Sequence, residues 1–419
     1  MVTLLLYLPV LLASGPAEST ITDFILPNGM RWIVCRTEHH GDAALLLYID
    51  AGGAQETSGR TGLVSTLAAM WRLDTPALEK EGARRPQVVS NLDRIIFRST
   101  WSPQNVEPWF RAHAALLHSS SLARFSEGQA AAIATRDKMR QGGGSLLDDF
   151  VAAAYIVHPY RHPAYGFASE IDQLTPPDAA EFVTRYFVPS NAIAVAAGDV
   201  QPAVIRALAE KYFAPLPKVP VPERLRAIEP PQRLERRLIA YGSSRPALVI
   251  GFHNSSISAP DAPIYGILRT LMSRRLKARL LEKEKLVSRI DTMPYPAMKY
   301  PFLTMVLCFV PPVNDTAAVE GIIHEELSRL AAEPVPPEEF APLIRSGADE
   351  LAKYAPFELA TELADWHAMS GTWRSMFRYP EIKSKVTPAD VQALAKRLFV
   401  PNERTTAITF GAPPASWSK

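Results

Sequence analysis

Cysteine is nearly absent: Cys35 and Cys308 are the only two in 419 residues. Such a chain carries no disulfide framework and no cysteine-rich zinc module. Both sit in apolar runs, one in each half (Trp32-Ile33-Val34-Cys35 and Val306 to Val310), so two buried free thiols are expected rather than a bridge. Charge of one sign is also missing. Forty-five Lys and Arg against 43 Asp and Glu leave a formal +2, which gives no electrostatic reason for nucleic acid or anionic lipid as a partner. Beyond the N-terminus no apolar run approaches the ~20 residues that a membrane-spanning helix needs. No membrane span is therefore expected, and the mature chain should be soluble.

Histidine pairs with the geometry of metal ligands are lacking too. His158 and His162 are four apart, but Pro159 and Pro163 break the helix that would align them. His113 and His118 are five apart, on different faces of a helix. His324-Glu325-Glu326 starts like a zinc-peptidase motif, yet Ser328 stands where its second His belongs, and His39-His40 read as an exposed loop. Gly142-Gly143-Gly144 lacks the Gly-Lys-Ser/Thr that would make a phosphate loop and reads as a flexible connection.

What is present begins with MVTLLLYLPVLLASGPA, a short apolar run ending in small residues. It has the form of a secretory signal over residues 1–17, although no Lys or Arg precedes the run. The chain then repeats itself. Residues 175–189 (TPPDAAEFVTRYFVP) and 387–401 (TPADVQALAKRLFVP) coincide at Thr, Pro, Asp, Arg, Phe, Val and Pro. Each segment opens with an N-cap Thr, Pro at the first helical position and Asp in the first turn. Each leads into an apolar strand, Ala192 to Ala196 or Thr405 to Phe410. The proline-rich segment 216–232 favours an extended linker. Two halves follow, 20–215 and 233–415. Both run from strand-like segments to helical ones, so the fold class is α+β: two homologous domains, each a mainly antiparallel sheet with helices packed on one face.

Leu26-Pro27-Asn28-Gly29-Met30, Ala51-Gly52-Gly53 with Glu56 and Gly62-Leu63, and His158-Pro159-Tyr160 with Pro163 and Gly166 come in a definite order. So do Phe187-Val188-Pro189-Ser190-Asn191 and Gly198-Asp199-Val200. Together they resemble the insulinase/pitrilysin family of zinc peptidases along most of the chain. That resemblance implies two homologous α+β domains forming half of a clamshell chamber. In the family an H-x-x-E-H helix binds zinc with both His, while the Glu takes a proton from the bound water.

Here the corresponding helix reads Gly62 to Trp71, with Ser65 and Ala69 at the histidine positions and Ala68 at that of the base. The third ligand position falls near Ala134 and Thr135, and Asp137 is the nearest downstream carboxylate. The family's Arg–Tyr pair maps onto Leu281 and Ser288; Arg289 and Tyr295 lie outside that context. Ser65 has no neighbouring base and reads as a structural serine. No catalytic, cofactor-binding or metal residue is expected. The resemblance implies a non-catalytic subunit that closes a peptide-binding chamber opposite a zinc-bearing homologue, exported to the periplasm or beyond. Two other readings are a metal-free scaffold or peptide-binding pseudopeptidase and, third, a peptidase with relocated chemistry.

Overall fold

The computed structural model describes residues 18–37, 41–140, 145–243, 245–312, 315–345 and 354–411. The expected signal segment, His39-His40 and Gly142 to Gly144 lie outside them.

Six strands form the first sheet: β1 (Ile21–Ile25), β2 (Arg31–Arg36), β3 (Ala43–Ile49), β4 (Arg84–Ser90), β5 (Ile95–Trp101) and β6 (Ala192–Gly198). Their order is β1-β2-β6-β3-β5-β4, antiparallel except for β2 against β6. The second sheet holds β7 (Arg236–Ala240), β8 (Ala247–His253), β9 (Arg289–Tyr295), β10 (Leu303–Phe309) and β11 (Arg404–Thr409). Its order is β7-β11-β8-β10-β9, and again one pair, β7 with β11, is parallel. Without β1 the first order matches the second strand for strand, so the sequence repeat is a duplication of the fold.

The helices used below are α1 (Leu63–Arg72), α2 (Thr75–Lys80), α3 (Glu107–His118), α4 (Phe125–Met139), α5 (Ser145–Ala154), α6 (Pro176–Tyr186) and α7 (Pro202–Tyr212). The second half adds α8 (Ala262–Leu276), α9 (Thr316–Ala332), α10 (Pro356–Ser370) and α11 (Pro388–Leu398). The repeated segments are α6 and α11. Asp178 and Asp390 each reach back to the backbone N–H of the N-cap threonine, at 2.9 and 2.8 Å. The same capping box thus starts the same helix twice.

In each half, helices from that half cover one face of the sheet. On the first sheet, α1, α3, α6 and α7 bury Trp32, Leu45, Phe97 and Ala194. The opposite face is covered as well, and by the other half. Phe357, Leu359, Leu363 and Ala364 of α10 pack on Ile33, Leu46, Ile96 and Val195. Reciprocally, α5 of the first half lies on the second sheet, where its Phe150 ring fills the space that a Cβ at Gly251 would occupy. The neighbouring Phe252 meets Phe399 at 5.4 Å. Because α5 and α10 occupy the same place in the two repeats, the halves have exchanged equivalent helices. Burial on both faces explains why β3 and β6 are buried at every residue and apolar without alternation.

Candidate functional site

The helix expected to bear the zinc motif, α1, begins at Gly62, whose φ of +89° suits glycine. Glu56 caps it from within the protein: its carboxylate accepts the N–H of Gly62 at 2.9 Å and of Val64 at 2.7 Å. Burial pushes the Glu56 carboxyl up to about 8, against the pull of those two backbone donors. Gly166 closes on the same point, because a Cβ there would lie 2.4 Å from the Gly62 Cα. These two glycines and Glu56 are among the residues that carry the family resemblance, and together they fix how α1 starts.

Along α1, Ser65, Ala68 and Ala69 are 5%, 0% and 3% exposed. The Ser65 hydroxyl donates to the Gly62 carbonyl at 2.9 Å, with the Tyr165 carbonyl at 3.4 Å. Both partners are acceptors only, so nothing there removes its proton. From α4, Arg136 Nε donates to the Gly166 carbonyl at 3.1 Å, which brings the end of α4 to the start of α1. On α4 itself, Thr135 is bonded to its own helix at Ala131 and Asp137 pairs with Arg136. The structure therefore gathers α1, the end of α4 and the Tyr165-Gly166 turn. The acidic groups there, Glu56, Asp137 and Glu170, already hold partners.

Leu281 and Ser288 belong to the second half. Leu281, in a π-helical turn after α8, packs on the second core, and the Ser288 backbone N–H donates to the Phe309 carbonyl at 2.9 Å. Arg289 pairs with Asp291 at 2.6 Å, on the strand that also carries Tyr295. The expected histidine candidates hold structural places. His158 and His162 flank the short turn Pro159–Arg161, with His158 Nδ1 accepting from the Tyr160 N–H at 3.2 Å. His113 stacks on Trp109 in the first core, and His324 faces the Arg404 guanidinium at 2.8 Å. Both cysteines are buried free thiols.

What binds the halves has no local signature. Tyr160 donates its hydroxyl to Asp93 at 2.5 Å, and Asp93 accepts the N–H groups of Met298 and Lys299 at 3.1 and 3.0 Å. In the linker, Glu229 accepts the N–H groups of Ile156, Val157 and His158 at 2.7, 2.9 and 2.9 Å. Burial opposes its charge, yet those donors hold the Glu229 carboxyl below its usual range. Arg94 forms an ion pair with Asp365 of α10. No single motif announces these contacts. Each joins residues far apart in sequence, although His158, Tyr160 and Glu229 lie in segments already singled out.

Residues 173–346 match the family described as the Peptidase M16 inactive domain. Over those residues the chain is similar to the M16 peptidases. This is the insulinase/pitrilysin type that its motifs resemble. A relative from Helicobacter pylori, zinc protease PqqE, is 27% identical over 157 residues; the match spans 35% of each protein, about a third of that relative's length. Among solved structures, a protease from Helicobacter pylori aligns with a TM-score of 0.85 at 18% identity, over 94% of this chain and all of that one. The periplasmic protease PqqL from Escherichia coli aligns with a TM-score of 0.77 at 14% identity. That match covers 95% of this chain but 48% of PqqL, so the chain spans about half of that protein.

The likeness to M16 zinc proteases implies a zinc ion, and the α1 donor set does not fit one. A hydroxyl committed to carbonyl oxygens and two methyl groups supply none of the imidazole or carboxylate donors that zinc takes. Among the described residues no group of three or more His, Cys, Asp or Glu is placed to hold a metal ion. No described helix is long and apolar enough to cross a membrane.

Proposed function

We propose that this chain is a non-catalytic subunit of a heteromeric M16 zinc peptidase, closing a peptide-binding chamber opposite a zinc-bearing homologue. The observation that supports it is a conjunction. The fold aligns with about half of PqqL, while its α1 presents Ser65, Ala68 and Ala69, buried and without a metal donor. A half-chamber of this kind gains a zinc centre from a second chain. Its substrate is a peptide or unfolded polypeptide. Export to the periplasm accords with the apolar start of the chain and with a periplasmic relative.

The test mixes the purified chain with a zinc-bearing M16 homologue from the same organism. A stable complex by light scattering at micromolar concentration, with peptidase activity above that of the zinc chain alone, is expected. A homologue that is fully active alone and ignores this chain defeats the reading and leaves the scaffold role in its place.

A further inference from the structure

Between α2, α3 and the β4–β5 edge of the first sheet lies a cavity of about 290 Å³, well apart from the start of α1. Its walls are mainly apolar, formed by Trp71, Leu78, Val88, Phe97 and Leu116. Trp71 and Phe97 meet edge to face at 5.2 Å, and Phe97 lies 5.9 Å from the His113 ring. The volume is at the lower end of small-molecule pockets, about 300–1,000 Å³.

Among the described residues, one ring nitrogen of His113 on this cavity has no hydrogen-bond partner. His113, 5% exposed, lines it from α3. Its Nδ1 lies 2.8 Å from the Trp109 carbonyl. A carbonyl only accepts, so Nδ1 carries the proton and Nε2 keeps a lone pair. With Nδ1 turned back to its own helix, Nε2 lies on the other edge of a ring that lines the cavity. Burial, only partly offset by the Trp109 carbonyl, pushes the His113 pKa down to about 4, so the ring is a neutral acceptor at physiological pH. Of the charged groups lining it, Asp74 pairs with Arg124 and Glu81 with Arg111, while Arg98 donates to Gln87 and Thr361 and lies over the Phe357 ring, so protein groups already hold each of them.

We propose that this cavity is a binding site for a compact, uncharged aromatic molecule of one or two rings carrying a single hydroxyl or N–H, which donates to His113 Nε2. An unpaired acceptor inside apolar walls rewards a ligand with one donor and penalises an isostere without it. The inference is independent of the chamber reading, because the site needs neither a partner chain nor a metal.

The test is calorimetric titration of the full chain with 2-naphthol and with 2-methoxynaphthalene, which keeps the rings and lacks the donor. Saturable one-to-one binding of 2-naphthol is expected, with 2-methoxynaphthalene about tenfold weaker, the usual worth of one buried hydrogen bond. His113→Phe keeps the aromatic wall and removes the acceptor, so the two probes should then bind alike. Ala77→Trp, at an exposed position of α2 on the cavity, should block both without disturbing the core. Absence of saturable binding, equal affinity of the two probes for the unaltered chain, a preference that survives His113→Phe, or binding unchanged by Ala77→Trp would each overturn the proposal.

Discussion

The Tyr160 hydroxyl donates to the buried Asp93 carboxylate at 2.5 Å, while Asp93 also accepts two backbone N–H groups from Met298 and Lys299. A tyrosine of the His-Pro-Tyr segment thus acts through an aspartate to hold the second half against the first. The same hydroxyl accepts the Tyr300 N–H at 3.2 Å. Tyr160→Phe removes both bonds and leaves a buried carboxylate short of a donor, at a cost of about 1–3 kcal/mol. Burial, the largest influence, raises the Asp93 pKa. Its contribution to stability is therefore complete at pH below the usual carboxylate range and shrinks as pH rises through the folded value. The variant's deficit should widen with pH. Urea unfolding at several pH values checks both the size and the slope.

Glu56 makes a second pH-dependent prediction. Its carboxyl titrates near 8 in the folded chain against 4.5 unfolded, so the folded state binds more protons between those values. Stability from this group is present below 4.5 and is lost as pH rises through 8, by up to about 1.4 kcal/mol per pH unit. Glu56→Gln removes the titration and should gain stability relative to the unaltered chain from pH 5 to pH 8. Melting temperatures that stay parallel across that range would show that Glu56 is not held protonated.

Gly166→Ala should destabilise by about 1–3 kcal/mol. The new Cβ meets the Gly62 Cα, and the φ of +73° is one that L side chains rarely adopt. The same substitution at Gly59, also at positive φ but with open space around it, isolates the backbone term. Gly166→Ala is expected to cost clearly more than Gly59→Ala in a denaturant titration.

Introducing Ser65→His, Ala68→Glu and Ala69→His together should yield neither a zinc-dependent peptidase nor a stable protein. The three positions are closed by packing, and larger groups there overfill the core at about 1–3 kcal/mol each. The third ligand and the Arg–Tyr pair remain absent. Zinc-dependent peptide turnover by the triple variant would show that α1 is correctly supported for a metal after all.

The helix exchange predicts that neither half is stable alone. An isolated segment 18–232 exposes the face of its sheet that Phe357, Leu359 and Leu363 cover, each worth about 1.5–3 kcal/mol of burial. It should show poor near-ultraviolet circular dichroism and aggregate. Co-expression with residues 233–411 should restore a one-to-one soluble complex on size exclusion. A cooperatively melting isolated half would contradict the exchange.

The duplication, the α+β class and the caps at Thr175 and Thr387 were legible in the chain because they are local. A capping box needs four consecutive residues, and an apolar strand needs only its own side chains. That Ser65, Ala68 and Ala69 offer neither imidazole nor carboxylate is likewise a matter of residue type, whatever the packing. The continuous apolar runs of β3 and β6 also carried the sign of sheets covered twice, but nothing in either run says which helix does the covering. That depends on where the chain crosses after α4 and before α11, a matter of connection path rather than residue type. The same holds for Asp93 with Tyr160 and for Glu229 with residues 156–158, whose partners lie dozens of positions or more away. The His113 cavity is the extreme case. The histidine, the tryptophan and the phenylalanine are ordinary core residues one by one, and only the spacing of α2 and α3 above β4 and β5 leaves a space between them with a free lone pair inside.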